Sequence, residues 1–322
     1  MKIGIGLPNQ IRDVDPAIIP GWAMRAETAG FSSLTTIGRI AYPGVLDTVA
    51  LAAAAAVTTR IGLTSTVMIT TVWPPVLLAK ELAGIAGVSG GRLTLGVGIG
   101  GNRHDDFVVD SLPPRELGRR VESDLAVYQH VWRGGAIGGG DNPAVPGQTQ
   151  AIPLLFGGMA NATFARMARW GEGYIGAAVP APSVAPMFDA ARTAWRDADR
   201  NGTPRLVAIG YFAFADEERG RNNVYDYYRV LGDERANQIA HSVHIGAAGV
   251  KSAAESFAAI GADELILNPA VDDLDEIGKL ADALLSGVMR RRLGLVEGWA
   301  PRSDIVDGRS QGTRIGSALS IA

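Results

Sequence analysis

Apolar and polar positions along this 322-residue chain alternate between two rhythms. Short apolar runs at 3–7, 33–37, 61–69, 93–99, 153–156, 174–178, 206–213 and 264–267 predict strands. Between them, stretches with helical periodicity cover 16–29, 44–59, 75–88, 115–132, 161–170, 183–199, 247–260 and 273–285. The boundaries carry their own chemistry. Asp15-Pro16 and Asp272-Asp273 offer helix-start acceptors, and Gly30 and Gly261 stand where left-handed caps end helices. Eight strands, each followed by a helix, predict an α/β fold: a single (β/α)8 TIM barrel over residues 1–288. Insertions follow strand four (102–114) and strand seven (216–242), where strand-to-helix loops open on the C-terminal face. The second insertion is long enough for extra helices, whereas the glycine-rich stretch 134–150 belongs to the opposite end. Residues 289–322 are rich in arginine and glycine, lack core periodicity and read as a loosely ordered tail.

Strand four runs out into Gly96-Val97-Gly98-Ile99-Gly100-Gly101, followed by Asn102, Arg103 and His104. Bare main chain at a strand end suits the close approach of something flat or charged. The letters fit a dinucleotide fingerprint, but no helix opens at the third glycine, and Leu112-Pro113-Pro114 delays the next one. A doubly wound nucleotide fold therefore lacks its context. After strand five, Gly157-Gly158-Met159-Ala160-Asn161 leads glycines directly into a helix start, a ready site for a phosphate.

Composition narrows the chemistry. Hydrophobic residues make up 47% and charged residues 20%, enough apolar material for a large core. A formal charge of -3 gives no electrostatic case for nucleic acid or an anionic membrane. With no cysteine, disulfides, thiolate catalysis and cysteine-based zinc sites are excluded. The alanine-rich run 48–57 is about half a membrane span, and the N-terminus reads as a strand, so a cytoplasmic protein is expected. His104 is the one histidine at a predicted strand end; His130 reads as a packing residue. His241 and His244 lack a third metal ligand and read as a solvated helix end, so no metal is expected.

Several blocks in order resemble the luciferase-like family of flavin- or F420-dependent oxidoreductases. They are Ala26-Glu27-Thr28-Ala29-Gly30-Phe31, Thr59-Arg60-Ile61-Gly62-Leu63, Leu78-Ala79-Lys80-Glu81-Leu82, Ser89-Gly90-Gly91-Arg92-Leu93 and Trp170-Gly171-Glu172-Gly173-Tyr174. The likeness extends from Met1 to about Leu285 and leaves out the tail. It implies a barrel seating reduced FMN or coenzyme F420 at its C-terminal mouth, with hydride transfer or oxygen activation on a small organic substrate. It further implies a bulge with a cis peptide at Thr66–Val67 backing the ring, with Gly98, Gly100 and Gly101 against the ring edge. Asn102, Arg103 and His104 would supply donors, and Gly157, Gly158, Ala160 and Asn161 would hold the cofactor's phosphate end.

Where sugar-phosphate dehydrogenases using F420 have an Asp-His pair and a later glutamate, this chain has Gly38-Arg39 and Gly101. That acid/base set is absent; Arg39 cannot act as a base at neutral pH but can bind a substrate carboxylate, a flavin carbonyl or a peroxide-level anion, the alternative being a surface ion pair. Arg39 and His104 are the expected catalytic residues. The leading expectation is a reduced-FMN oxidoreductase fed by a separate reductase and acting as a homodimer. An F420-dependent reductase or dehydrogenase, and a flavin binder without turnover, are the alternatives. Specificity is expected from the strand-two loop, 102–114 and the Tyr225, Tyr227 and Tyr228 cluster.

Overall fold

The computed structural model describes residues 1–100 and 116–286. Ten parallel-paired strands are present: β1 (Lys2–Gly6), β2 (Ser33–Thr36), β3 (Gly62–Ser65), β4 (Met68–Ile69), β5 (Leu93–Gly98), β6 (Leu154–Gly157), β7 (Gly173–Ile175), β8 (Arg205–Ala213), β9 (His244–Ile245) and β10 (Glu264–Pro269). Neighbour follows neighbour from β1 to β8, and β10 pairs with both β8 and β1, closing the cylinder. β4 continues the wall begun by β3, and β9 lies along the upper end of β8, leaving eight staves. The chain is a closed (β/α)8 barrel.

Helices α1 (Ile18–Ala29), α2 (Asp47–Val57), α3 (Pro75–Val88), α4 (Leu117–Trp132), α5 (Asn161–Trp170) and α6 (Ala181–Asp197) follow successive strands. After β8 come α7 (Glu217–Tyr228) and α8 (Asp233–His241), the extra helices expected in that insertion; α9 (Gly246–Ala259) and α10 (Asp275–Leu284) complete the ring. The predicted glycine stops form, whereas neither α1 (N-cap Ala17) nor α10 (N-cap Leu274) has a side-chain cap bond, so the predicted acceptors sit just outside the caps. Asp15 accepts from the Ala17 N–H, and Gly30 (φ 90°) and Gly261 (φ 79°) take left-handed turns. The insertion after strand four and the tail lie outside the described residues.

Strand alternation sorts the core into two. Leu34, Leu63, Leu95, Phe156 and Leu265 face outward against Trp22, Leu82 and Phe188. Ile37, Leu155, Ile175, Ile209 and Ile266 fill the lumen.

The N-terminal end of the lumen is sealed by polar contacts. Glu264, 1% exposed, accepts from Ser32 (2.6 Å), Ser33 (2.7 Å) and Arg205 (2.5 Å). Burial raises its carboxyl pKa, but these donors outweigh it and hold the group below the ordinary carboxylate value. On the same face, Glu27 and Arg92 grip one connection between α2 and β3. Glu27 accepts from the N–H groups of Thr59, Arg60 and Ile61 at 2.7–3.0 Å. Arg92 donates to the carbonyls of Thr58 (2.7 Å) and Ile61 (2.6 Å). An anion takes the turn's donors and a cation its acceptors.

Three readings need correction. The run 61–69 is not one strand: it breaks between Ser65 and Met68. The residues at 44–46 precede α2 and are not helical, because Asp47 opens that helix. His130 is also not a core packing group. It is exposed in the last turn of α4, with Nε2 3.0 Å from the Ala136 carbonyl.

Candidate active site

The break in strand three builds the centre of the mouth. Thr64 pairs with Thr94 and Met68 with Val97, so this wall advances four residues while β5 advances three. The extra residue is a bulge, and the Thr66–Val67 bond within it is cis. Thr66 anchors the bulge by donating both its N–H (2.8 Å) and its hydroxyl (3.0 Å) to the Thr36 carbonyl. Ser65 replaces the lost ladder contacts: its hydroxyl accepts from the Gly96 N–H at 3.0 Å and donates to the Gly96 carbonyl at 3.1 Å.

Val67 thereby packs at the top of the lumen between two bare strand ends. A Cβ at Gly98 would lie 2.5 Å from one Val67 methyl, and a Cβ at Gly157 2.9 Å from the other. The immediate role of these glycines is to admit Val67, which stays partly exposed as an apolar platform. Gly100, two residues past β5, takes φ 80°, the left-handed region that glycine favours.

Beside this platform, β6 leads into α5. Gly158 takes φ 135°, and its carbonyl accepts from the buried Tyr174 hydroxyl at 2.7 Å. Ala160 is the N-cap and Asn161 the first residue of α5, and no side chain caps the helix. Asn161 also lines an outer groove of about 500 Å³ between α5 and α6.

Arg39 belongs to a second cluster, on the β1–β2–β8 side. Its Nη1 donates to the Tyr227 carbonyl at 2.8 Å, near the C-terminus of α7, and its guanidinium lies 5.3 Å from the Tyr42 ring centre and 5.7 Å from that of Tyr227. Tyr42 donates to Asp226 at 2.9 Å, and Arg12 donates to the same oxygen at 2.7 Å. Burial raises Asp226, but the Arg12 and Tyr42 contacts prevail and hold it below the ordinary value. Burial and Asp226 together push the Tyr42 phenol up. Loops after β1 and β2 are thus fastened to α7. Deeper in, the hydroxyls of Tyr211 and Tyr228 meet at 3.0 Å.

Nine of the expected site residues therefore stand at strand ends on one face: Arg39, Thr66, Val67, Gly98, Gly100, Gly157, Gly158, Ala160 and Asn161. Gly101, Asn102, Arg103 and His104 lie outside the described residues. His241 ends α8, but His244 sits in β9, where burial lowers its pKa, so the pair is not one solvated helix end. No cluster of His, Cys, Asp and Glu suited to a metal occurs among the described residues. Sequence reasoning missed Arg12, Tyr42, Asp226 and Tyr211. A polar or aromatic residue past a barrel strand was an available signal for Arg12 and Tyr42; Asp226 lies inside α7 and Tyr211 within β8, where no such signal stands.

The family model described as luciferase-like monooxygenase matches residues 1–266. The chain belongs to that family. Among curated relatives of this luciferase-like chain, an uncharacterised protein of Mycobacterium tuberculosis (strain ATCC 25618 / H37Rv) is 30% identical over 176 residues, covering 46% of this chain and 61% of the relative. The chain thus spans about three fifths of the length of such relatives. Among solved structures, an F420-dependent secondary alcohol dehydrogenase in complex with an F420-acetone adduct superposes with a TM-score of 0.68 at 16% identity, covering 88% of this chain and 98% of that one. The FMN-bound oxygenating constituent of 3,6-diketocamphane monooxygenase from Pseudomonas putida gives 0.67 at 14% identity, covering 87% and 96%. At such identities the likeness is one of fold. No described helix is long and apolar enough to cross a membrane.

Proposed function

We propose that this luciferase-like oxidoreductase uses reduced FMN to oxygenate or oxidise a small organic substrate. The observation that carries this reading is the Val67 platform, raised by the bulge at Thr66 and flanked by the bare main chain of Gly98 and Gly157. A flat apolar shelf with an uncapped helix start beside it fits a planar ring with a phosphorylated tail. Val67 would lie under the ring and exclude water from that face. The free N–H groups at the start of α5, with Gly157, Gly158, Ala160 and Asn161 contributing main chain, would hold the phosphate. When bound, the reduced cofactor supplies the electron pair, to the substrate or to molecular oxygen. Arg39, held between Tyr42 and Tyr227, keeps a permanent positive charge at the mouth that suits a carboxylate or a developing anion. Asn102, Arg103 and His104 follow Gly100 in sequence and would add donors over the ring.

Coenzyme F420 is the second reading. The same platform and helix start suit either ring system, and Gly38-Arg39 in place of an Asp-His pair argues against one F420 mechanism, alcohol oxidation by that acid/base pair, rather than against F420 binding. Parallel titrations of apo-protein with FMN and F420, followed by fluorescence, decide the order. Selective F420 affinity reverses it, and failure of both to bind removes the reading. A cofactor binder without turnover would bind FMN yet show no substrate-dependent reoxidation.

In this reading the protein also works in the cytoplasm, receives reduced FMN from a separate reductase and pairs with a second copy. Exposed Val49 on α2 and exposed Leu77 and Val88 on neighbouring α3 are apolar groups that a partner barrel would cover. Sedimentation equilibrium tests this, and a monomer at micromolar concentration rejects it.

A further inference from the structure

Gln10 closes the short 3-10 turn Pro8–Gln10 that follows β1 and is 5% exposed. Its side-chain nitrogen donates to the Pro269 carbonyl, at the end of β10, at 2.7 Å. That contact fixes the amide's orientation, because only the NH2 end can face a carbonyl. The atom left over is Oε1, an acceptor that is buried and has no donor.

Among the described residues, the groups next to Gln10 in the chain and next to Pro269 are committed elsewhere or carry no donor. Pro8 and Pro269 carry no N–H. The Asn9 amide is committed to the carbonyls of Ile37 (2.9 Å) and Val45 (3.0 Å). The Ile11 N–H goes to Pro8, and the Asn223 amide to the Ala270 carbonyl at 2.9 Å. A buried acceptor without a partner is unfavourable, and natural folds rarely keep one without a use. This one sits where β1 and β10 reach the C-terminal face, beside the β8 stave. Tyr211 there pairs in register with Asn268, one residue before Pro269, and the lumen below is lined by Ile37, Ile209 and Val67. An unmatched acceptor beside a largely apolar mouth gives a binding site a single polar group with which to orient a small molecule.

We infer that Gln10 is a specificity-determining residue whose Oε1 accepts a hydrogen bond from the substrate, so that the mouth selects molecules carrying a hydroxyl or N–H donor. The inference rests on the proposed oxidoreductase reading only in naming that ligand as the substrate. Sites built to hydrogen-bond a ligand group reject analogues lacking it far more strongly than apolar pockets reject a missing methylene.

The test uses a matched pair of probes, phenol and anisole, titrated calorimetrically into the full chain with and without FMN. Wild type is expected to bind phenol about tenfold more tightly than anisole. Gln10→Met, which loses both the tether to Pro269 and the acceptor, is expected to bind the two equally. Gln10→Glu loses the tether's donor but keeps an acceptor, and is expected to retain the preference for phenol. Thermal melts of both variants report whether they fold. Equal binding by wild type, no binding of either probe, or a phenol preference that persists in folded Gln10→Met overturns the inference. If FMN and F420 both fail to bind while the phenol preference stands, the cofactor reading falls and the role of Gln10 survives.

Discussion

The two ends of this barrel solve opposite problems with the same residue types. At the N-terminal end Glu264, Glu27 and Arg92 are all answered. Glu264 has three donors, and Glu27 and Arg92 divide the donors and acceptors of one turn between them. At the C-terminal end strands finish in glycine, a valine is left partly bare, α5 starts uncapped and Gln10 keeps an unmatched oxygen. One end is finished by folding alone; the other, in the proposed reading, is complementary to something outside the chain. The family blocks around Glu27, Arg60 and Arg92 mark the finished end, so what identifies the family is largely its scaffold. The chemistry is written in the other end.

The same substitution at the two ends of the lumen should therefore do different things. Gly173→Ala drives a methyl into the Arg205 backbone, which cannot yield, and is expected to cost about 3 kcal/mol or more. Soluble, cooperatively melting protein with a wild-type denaturation midpoint would contradict this. Glu264→Leu should cost about 3 kcal/mol by stranding Arg205, Ser32 and Ser33, read as a lowered urea midpoint. Because folding lowers the Glu264 pKa, its contribution is complete above the ordinary carboxylate pKa and disappears as pH falls through the depressed folded value. Urea midpoints measured down an acid series should fall more steeply for wild type than for Glu264→Leu.

Arg92→Lys keeps the charge but cannot span carbonyls at both Thr58 and Ile61, and is expected to cost about 1–2 kcal/mol. Cofactor affinity should not change, and a large loss of FMN binding by the folded variant would blur the division between the ends. At the mouth, Gly157→Ala makes one tight contact, with a methyl of Val67, a side chain that can yield, and lies at ordinary contact distance from the Ile175 carbonyl. Its stability cost should stay below about 1 kcal/mol, while FMN affinity falls about tenfold as the platform shifts. A variant as unstable as Gly173→Ala, with unchanged FMN affinity, would reverse the assignment.

Much of this was legible in the chain itself. Helices α3 and α5 begin and end where periodicity and caps put them, because each has an apolar stripe bounded by proline, glycine or a strand. Residues that the sequence marks by what they lack, such as Gly98, Gly157 and Gly158, do cluster at one end, since parallel strands must finish on the same face. The object they accommodate was not legible: Gly98 and Gly157 first make room for Val67, and nothing local announces that Val67 points inward. Arg39 was visible as a charge at a strand end, but its place between Tyr42 and Tyr227 depends on residues 3 and 188 positions away. β9, two residues long, carries no periodicity to detect.

The sequence by itself determined the alternation of strand and helix, hence a closed parallel cylinder with its loops sorted to two faces. Those features follow from hydrophobic period and turn chemistry, which act over a few residues. Only the tertiary structure decided which polar groups found partners and which were left waiting. Pairing depends on distances between segments far apart in the chain: Gln10 meets Pro269 because β1 and β10 close the barrel, and closure leaves its oxygen without a donor.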